Sequence, residues 1–523
     1  MGVCWFLGVK FTLSTANVVC LQQQDTRYCM LKIITIYNDK QNCKNHRYNA
    51  FYVDKIHSYA HNDSGAFFGS LISQRRHGQQ MERLLNAQLN QWRNNPKRKP
   101  LVLKGVRQCG KTWLLKEFGK QYYPDVAVFN FEETPSLCSI FEQDLDVKRI
   151  LLELGIIRGK TIQPDKTLII LDEIQACDKA LTSLKYFQEN APEYHIACAG
   201  SLLGIALHEN HSFPVGKVDF LTLYPMSFEE FLLAMDQGML RGYISSMKLG
   251  QKISEPIANQ LTNYLRQYFM IGGMPEVVRI WKETQDLAEA EKVQQAILSS
   301  YELDFAKHAP RTEFPKLNAI WASIPQQLSK PNSKFIFSHV KKGWRAKDLE
   351  NALEWLIRAG LLHKVCLIEK PYFPLSSYAD ATSFKLYLCD IGLLRKLAGV
   401  PAQIILSTSD LYTEFRGAMT ENYVLTEFVK SVTETLYYWN SGNTAEVDFV
   451  LQQGAEIVPV EVKSEKSVKS RSLAEYRNKY HPTYAVRTSM IPELNCSTLL
   501  NIPLFMIHTL PRWVSEKHTV VCN

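Results

Sequence analysis

Residues 105–112 read Gly-Val-Arg-Gln-Cys-Gly-Lys-Thr, the spacing G-x-x-x-x-G-K-T. No other stretch limits this tightly what the chain can fold into, because the pattern works only between a buried strand and a helix. Both flanks are legible. Leu101, Val102 and Leu103 form an apolar lead-in, and Thr112 to Gly119 reads as a helix. Glycine at 105 and 110 lets the backbone wrap closely around phosphate oxygens. The amides that follow open a helix, whose N-terminal end favours anions. Gly105, Val106, Arg107, Gln108, Cys109, Gly110, Lys111 and Thr112 are therefore the candidate ATP-binding segment. Lys111 is expected to reach the β- and γ-phosphates and the Thr112 hydroxyl to ligate Mg²⁺.

Downstream of the loop, strands alternate with helices, the sign of a parallel sheet in an α/β fold. Strands are expected at Asp125–Phe131, at Thr167 onward, at His195 onward and at Val218–Leu223, with helices between them. The Thr167 strand runs Thr-Leu-Ile-Ile-Leu-Asp-Glu and ends in two carboxylates. Asp172, at the end of a buried strand beside a phosphate loop, can hold Mg²⁺ through water. Glu173 can polarise an attacking water. Ser201, at the tip of the next strand, is placed to sense the γ-phosphate. Ser227 followed by Glu230 reads as a capping box opening a helix. Ile271-Gly-Gly-Met-Pro breaks the later helical region, as a hinge or a simple turn.

A length of 523 residues allows about three domains. No run of about 18 apolar residues is present, so neither a transmembrane helix nor a membrane partner is expected. Twelve cysteines are scattered without a C-x-x-C pair, which fits free thiols in a reducing cytoplasm better than zinc or a disulfide framework. Residues 1–80 stand apart. They hold nine Lys and Arg against four Asp and no Glu, and lack clear periodicity. The plain reading is an atypical upstream extension with a misplaced start, Met81 being the natural beginning.

Two further constellations lie downstream. Residues 345–365 read as an amphipathic helix, with Leu349, Leu353, Leu356 and Ile357 at helical spacing, then a strand. With the basic Lys341, Lys342, Arg345 and Lys347 beside Trp344, this resembles a winged helix. Such a unit can enter a DNA groove or meet another protein. Further on, Glu421 on a helix, Asp448 on a strand, and Glu461-Val-Lys463 on the next resemble a restriction-endonuclease-like site. Glu461 and Lys463 would share one face of a strand. Paired carboxylates can hold Mg²⁺ against a phosphate while Lys463 orients water.

The loop, Leu168-Ile-Ile-Leu-Asp-Glu-Ile-Gln, the strand ending Ala199-Gly-Ser-Leu-Leu-Gly, Tyr224-Pro-Met-Ser-Phe-Glu-Glu-Phe and Gly272-Gly-Met-Pro-Glu occur in one order. Together they resemble the bacterial and archaeal AAA-type P-loop ATPases that carry a C-terminal domain of unknown function. The resemblance runs from about Glu82 to the end. It implies a P-loop NTPase core with a parallel sheet and an additional strand (81–245), a helical lid (246–312), a winged-helix-like middle domain (313–400) and an α/β restriction-endonuclease-like domain (401–523). It implies ATP and Mg²⁺, with Lys111, Glu173 and Ser201 in catalysis, DNA or a protein as partner, and a homo-oligomer as one option. Lys217 departs from the family pattern, which often has Arg there. An ATP-gated nuclease and a nucleotide-switched binding regulator stand as alternatives to a plain ATPase.

Overall fold

A computed structural model describes residues 81–200, 216–330, 333–406, 413–432, 435–442, 445–465, 470–494 and 499–517. It also describes the backbone of two short antiparallel strands, Gly2–Phe6 and Val9–Leu13. Contacts divide the chain into Met1–Gln80 and Met81–Asn523, and the second unit holds every other element.

The amphipathic helix Asn86–Asn94 buries Leu89 and Trp92, and the indole of Trp92 donates to the Lys99 carbonyl at 2.8 Å. Five strands then build a parallel sheet: β1 (Leu101–Lys104), β2 (Asp125–Asn130), β3 (Thr167–Asp172), β4 (His195–Ala199) and β5 (Asp219–Thr222). Their spatial order is β2-β3-β4-β1-β5, and every pairing is parallel. β4 is thus inserted between β1, which leads into the phosphate loop, and β3, which ends in the two carboxylates. Burial follows position. Every residue of the inner strands β3 and β4 is buried, whereas the edge strands β2 and β5 are partly exposed. That is why the inner strands read as unbroken apolar runs.

Three helices follow the core's last helical turns: Glu255–Ile271, Pro275–Thr284 and Leu287–His308. The Gly272-Gly273 pair is a point of close approach. A Cβ on Gly273 would lie 2.1 Å from the Met226 carbonyl oxygen, and one on Gly272 would lie 2.2 Å from Asp390. The Gly273 amide donates to Asp390 at 2.6 Å, and the Met226 amide donates to the Gly273 carbonyl at 2.7 Å. The two most particular motifs of the sequence, around Met226 and Gly272, therefore meet in one packed node.

The second sheet is mixed and has seven strands: β6 (Leu362–Ile368), β7 (Ala379–Leu388), β8 (Tyr437–Asn440), β9 (Glu446–Gln453), β10 (Glu456–Val462), β11 (Ala485–Ser489) and β12 (Leu499–Pro503). Their order is β12-β11-β10-β9-β8-β6-β7. The hairpin β6–β7, expected to belong to the middle domain, pairs through β6 with β8 in parallel. Hydrogen bonding therefore crosses the division expected at residue 400. The helix Ala346–Arg358 ahead of β6 buries Leu349, Leu353 and Leu356 as its spacing predicts, and ends where Gly360 turns with φ +76°.

Candidate functional site

The loop leaves β1 at Gly105, whose φ of +146° and the 2.1 Å from a Cβ to the Leu223 carbonyl oxygen exclude any side chain. Gln108 and Gly110 also hold positive φ, at 64° and 93°. The helix Lys111–Tyr122 starts directly from that left-handed turn. Lys111 is buried at its head, and its ammonium donates to the carbonyls of Gly105 and Val106 at 2.8 and 2.9 Å. The charge is held inside the loop by the loop's own carbonyls. The Cys109 thiol is buried, facing the Leu223 carbonyl at 3.4 Å.

β3 brings Asp172 to the first turn of that helix. The Thr112 hydroxyl lies 2.9 and 3.0 Å from the two Asp172 carboxylate oxygens, and the Asn130 amide donates to the same carboxylate at 3.2 Å. Burial pushes the Asp172 carboxyl above its ordinary range, and the Thr112 bond opposes that rise. Glu173 holds φ +48° and ψ 42°, a left-handed conformation costly for a residue with a Cβ. Its carboxylate accepts from the Gln175 amide at 2.6 Å. Lys217 pairs with Glu189 at 2.9 Å. Ser201 lies outside the described residues.

The C-terminal quartet also assembles, with a group that sequence reasoning missed at its centre. The β9–β10 register pairs Phe449 with Val460, which sets Asp448 opposite Glu461. The fully buried ammonium of Lys385, on β7, lies 2.5 Å from Glu446 and 3.5 Å from Glu421. The Tyr387 hydroxyl donates to Glu421 at 3.0 Å. Burial opposes the Lys385 charge, but Glu421, Tyr387, Glu446 and Asp448 outweigh it and hold the ammonium protonated well above its usual range. Burial, then the Glu421 charge, pushes the Asp448 carboxyl well up. Asp448 accepts from the Val462 amide at 2.7 Å, and Lys463 turns onto Glu461 at 2.5 Å. Among the described residues, no group of three His, Cys, Asp or Glu side chains is placed to hold a metal ion. Of the carboxylates expected to hold Mg²⁺, Glu421 thus faces Lys385 and Glu461 pairs with Lys463.

Residues 97–232 match the family model described as an AAA domain. The chain carries an AAA-type P-loop ATPase core. Beyond this core, residues 262–404 and 416–504 match two domains of unknown function, DUF8612 and DUF4143. A nucleotide-binding core followed by a carboxy-terminal domain of unknown function is the arrangement its motifs resemble. No curated protein matches. Among solved structures, the Walker-type ATPase paby2304 of Pyrococcus abyssi aligns at 14% identity, covering 61% of this chain and 96% of that one, with a TM-score of 0.39. Cdc6p from Pyrobaculum aerophilum aligns at 13% identity over 62% and 92%, TM-score 0.22. AMPPCP-bound DnaA from Aquifex aeolicus aligns at 14% over 52% and 86%, TM-score 0.21. Likenesses this distant carry nothing about activity.

In this AAA-type core, residues far apart in sequence brace the loop from outside. Arg83, only 3% exposed, pairs with Glu230 at 3.0 Å. It also donates to the carbonyls of Cys109 and Tyr224 at 2.9 and 2.6 Å. Glu230 closes the expected capping box with Ser227 at the same time. On another side, Arg107 pairs with the buried Asp304, and the Tyr301 hydroxyl donates to the Arg107 carbonyl at 3.0 Å. Both partners stand on the helix Leu287–His308. No motif announces Arg83 or Asp304. Arg83 follows Glu82 directly, and Asp304 stands between Glu302 and Lys307, so neither is set apart from its charged neighbours in the sequence.

Proposed function

We propose that this AAA-type ATPase binds ATP at Gly105–Thr112 with Mg²⁺ and hydrolyses it. The observation that carries the reading is the contact between the Thr112 hydroxyl and both Asp172 carboxylate oxygens, at 2.9 and 3.0 Å, beside a glycine-formed loop. The donor set fits the ion, because hydroxyl and carboxylate oxygens are what a hard divalent cation takes. When bound, Mg²⁺ would supply charge to the β- and γ-phosphate oxygens. The loop's glycines leave its amides open to the phosphates. Lys111, held ready by two loop carbonyls, transfers its ammonium to the phosphate oxygens. Glu173 orients water in line with the γ-phosphorus and takes its proton. A bond forms from the water oxygen to phosphorus, the bond to the β–γ bridging oxygen breaks, and ADP and phosphate leave. Ser201 senses the γ-phosphate.

The C-terminal sheet, in this reading, binds a partner and does not cut. Lys385 supports this, since its charge stands among the carboxylates that metal-dependent cleavage would need. The middle segment acts as a winged helix on DNA. Its support is the helix series Phe314–Leu328, Phe337–Val340 and Ala346–Arg358 before a β-hairpin, with Lys341, Lys342, Arg345 and Lys347 exposed around Trp344. The test is Mg²⁺-dependent phosphate release by the full chain with and without duplex DNA. Turnover should rise with DNA and fall about a hundredfold or more in Glu173→Gln. Turnover unchanged in Glu173→Gln would overturn the assignment. Metal-dependent nicking of the DNA would overturn the non-cutting reading.

A further inference from the structure

Two free thiols, Cys138 and Cys177, meet beside the turn that carries Glu173. Cys138 is the first residue of the short helix Cys138–Gln143. Cys177 closes the turn Ile174–Ala176 and stands at the N-cap position of the helix Asp178–Asn190. The Cys138 thiol donates to the Ala176 carbonyl, one residue before Cys177, at 3.8 Å, and the two thiols hydrogen-bond to each other. Packing holds the contact in place. Leu137, Ile140 and Phe141 enter the same apolar cluster as Cys177, Ala180 and Leu181, and Cys138 lies against its edge.

The two sulfurs differ in access and in acidity. Cys138 is half-buried and Cys177 is buried. Burial pushes the Cys177 thiol up to about 12, the Cys138 contact adds to that rise, and the Ala180 amide opposes it. Cys138 is therefore the sulfur that an outside reagent meets first. Cys177 lies directly behind it as a resolving thiol.

We propose that Cys138 and Cys177 are a modification site, which closes reversibly to a disulfide in exchange with a low-molecular-weight disulfide. The Cys138 thiolate attacks one sulfur of the reagent, the reagent's S–S bond breaks, and its first thiol leaves with a proton from water. With Cys138 capped, its thiol hydrogen no longer holds up the Cys177 proton. Cys177 gives that proton to water and attacks the Cys138 sulfur, and the second reagent thiol leaves. Two protein thiols are oxidised, and the two reagent sulfurs are reduced. Closing the sulfurs from contact to about 2 Å draws Cys177 toward Cys138. The turn moves with it, because the Ala176 amide donates to the Glu173 carbonyl and the Cys177 amide to the Ile174 carbonyl, both at 3.0 Å. Glu173 is thereby displaced and hydrolysis slows. This consequence rests on the ATPase reading, and the disulfide does not.

The experiment treats the full chain with oxidised glutathione, blocks remaining thiols, and maps the peptides by mass spectrometry without reductant. A Cys138–Cys177 linked pair should be the main product and vanish with dithiothreitol. Cys177→Ala should stop at a glutathione adduct on Cys138, and Cys138→Ser should leave Cys177 unmodified. Phosphate release by the oxidised wild-type chain should fall about tenfold or more, as a misplaced catalytic group does, and return with dithiothreitol. In Cys138→Ser it should be indifferent to the oxidant. A wild-type chain that gives no linked pair, or only adducts on single cysteines, overturns the proposal. A fully linked chain with unchanged turnover overturns the effect on Glu173. Turnover absent from the reduced chain as well is a failure of the ATPase reading, and the linked pair then decides the proposal alone.

Discussion

Arg83→Met tests how the phosphate loop is held. The guanidinium is buried, forms an ion pair at 3.0 Å with an equally buried Glu230, and fixes the Cys109 carbonyl at 2.9 Å in the middle of the loop. Breaking a buried ion pair by removing one partner costs roughly 3–5 kcal/mol, because the other charge stays buried. Glu230 keeps two backbone donors, the amides of Leu84 and Ser227, at 2.7 and 3.0 Å. The loss should therefore fall near the lower end, about 3 kcal/mol. Urea unfolding followed by tryptophan fluorescence gives the single variants and the Arg83→Met/Glu230→Gln double variant. A coupling of about 1.5 kcal/mol or more is expected between the two sites. Freed from Arg83, the Cys109 carbonyl no longer fixes the loop, and affinity for a fluorescent ATP analogue should drop about tenfold, or ~1.4 kcal/mol. A single-variant loss under about 1 kcal/mol with no coupling would refute the reasoning, because a pair worth that little behaves as a solvated one.

The geometry sets three further outcomes. Lys385→Met leaves Glu421, Glu446 and Asp448 without their shared cation and should cost roughly 3 kcal/mol at neutral pH. The defect should shrink as acid protonates Glu446 and Asp448, whose carboxyls burial raises, so unfolding curves at about pH 7 and about pH 5 differ most for this variant. Gly273→Ala drives a Cβ to 2.1 Å from the Met226 carbonyl and should lower stability by about 1–3 kcal/mol. Gly238→Ala, with nothing within 4 Å, should be neutral or gain up to about 1 kcal/mol. Thermal unfolding compares the two. His195 is held neutral, pushed from 6.5 to about 4 by burial and by the Arg98 charge. The unfolded chain takes up that proton first, so the stability His195 contributes is present above pH 6.5 and is lost as pH falls toward 4. His195→Gln should flatten the fall across that window in a pH series of urea midpoints.

Local patterns were legible in the sequence, and long-range charge was not. The loop, the strand ending in Asp172, the capping box at Ser227 and the helix bearing Leu349 and Leu353 are written in neighbouring residues. Each formed as its spacing predicts. The motif resemblance implied a parallel sheet with an additional strand, but the place of β4 between β1 and β3 came from the structure, since adjacency in a sheet is not a local property. Arg83 meets partners 26 and 147 residues away, and Lys385 meets Glu446 61 residues on. No window of sequence contains such pairs. The helix Arg471–Tyr480 escaped for a different reason. It buries only Leu473 and Tyr476 and is otherwise polar, so its apolar stripe is too thin to read. The β6–β7 hairpin was legible as strands, but nothing in it said that β8 would continue its sheet. The left-handed turn at Glu173 is invisible in sequence because only glycine advertises such a conformation.

The most direct test of the central claim is phosphate release by the full chain under single-turnover conditions, with ATP binding measured in the same samples. The account predicts Mg²⁺-dependent release by the wild-type chain. Lys111→Ala should lose binding and release together, while Glu173→Gln should keep binding and lose release. Release that survives in Lys111→Ala, or a wild-type chain that binds no ATP, would contradict it.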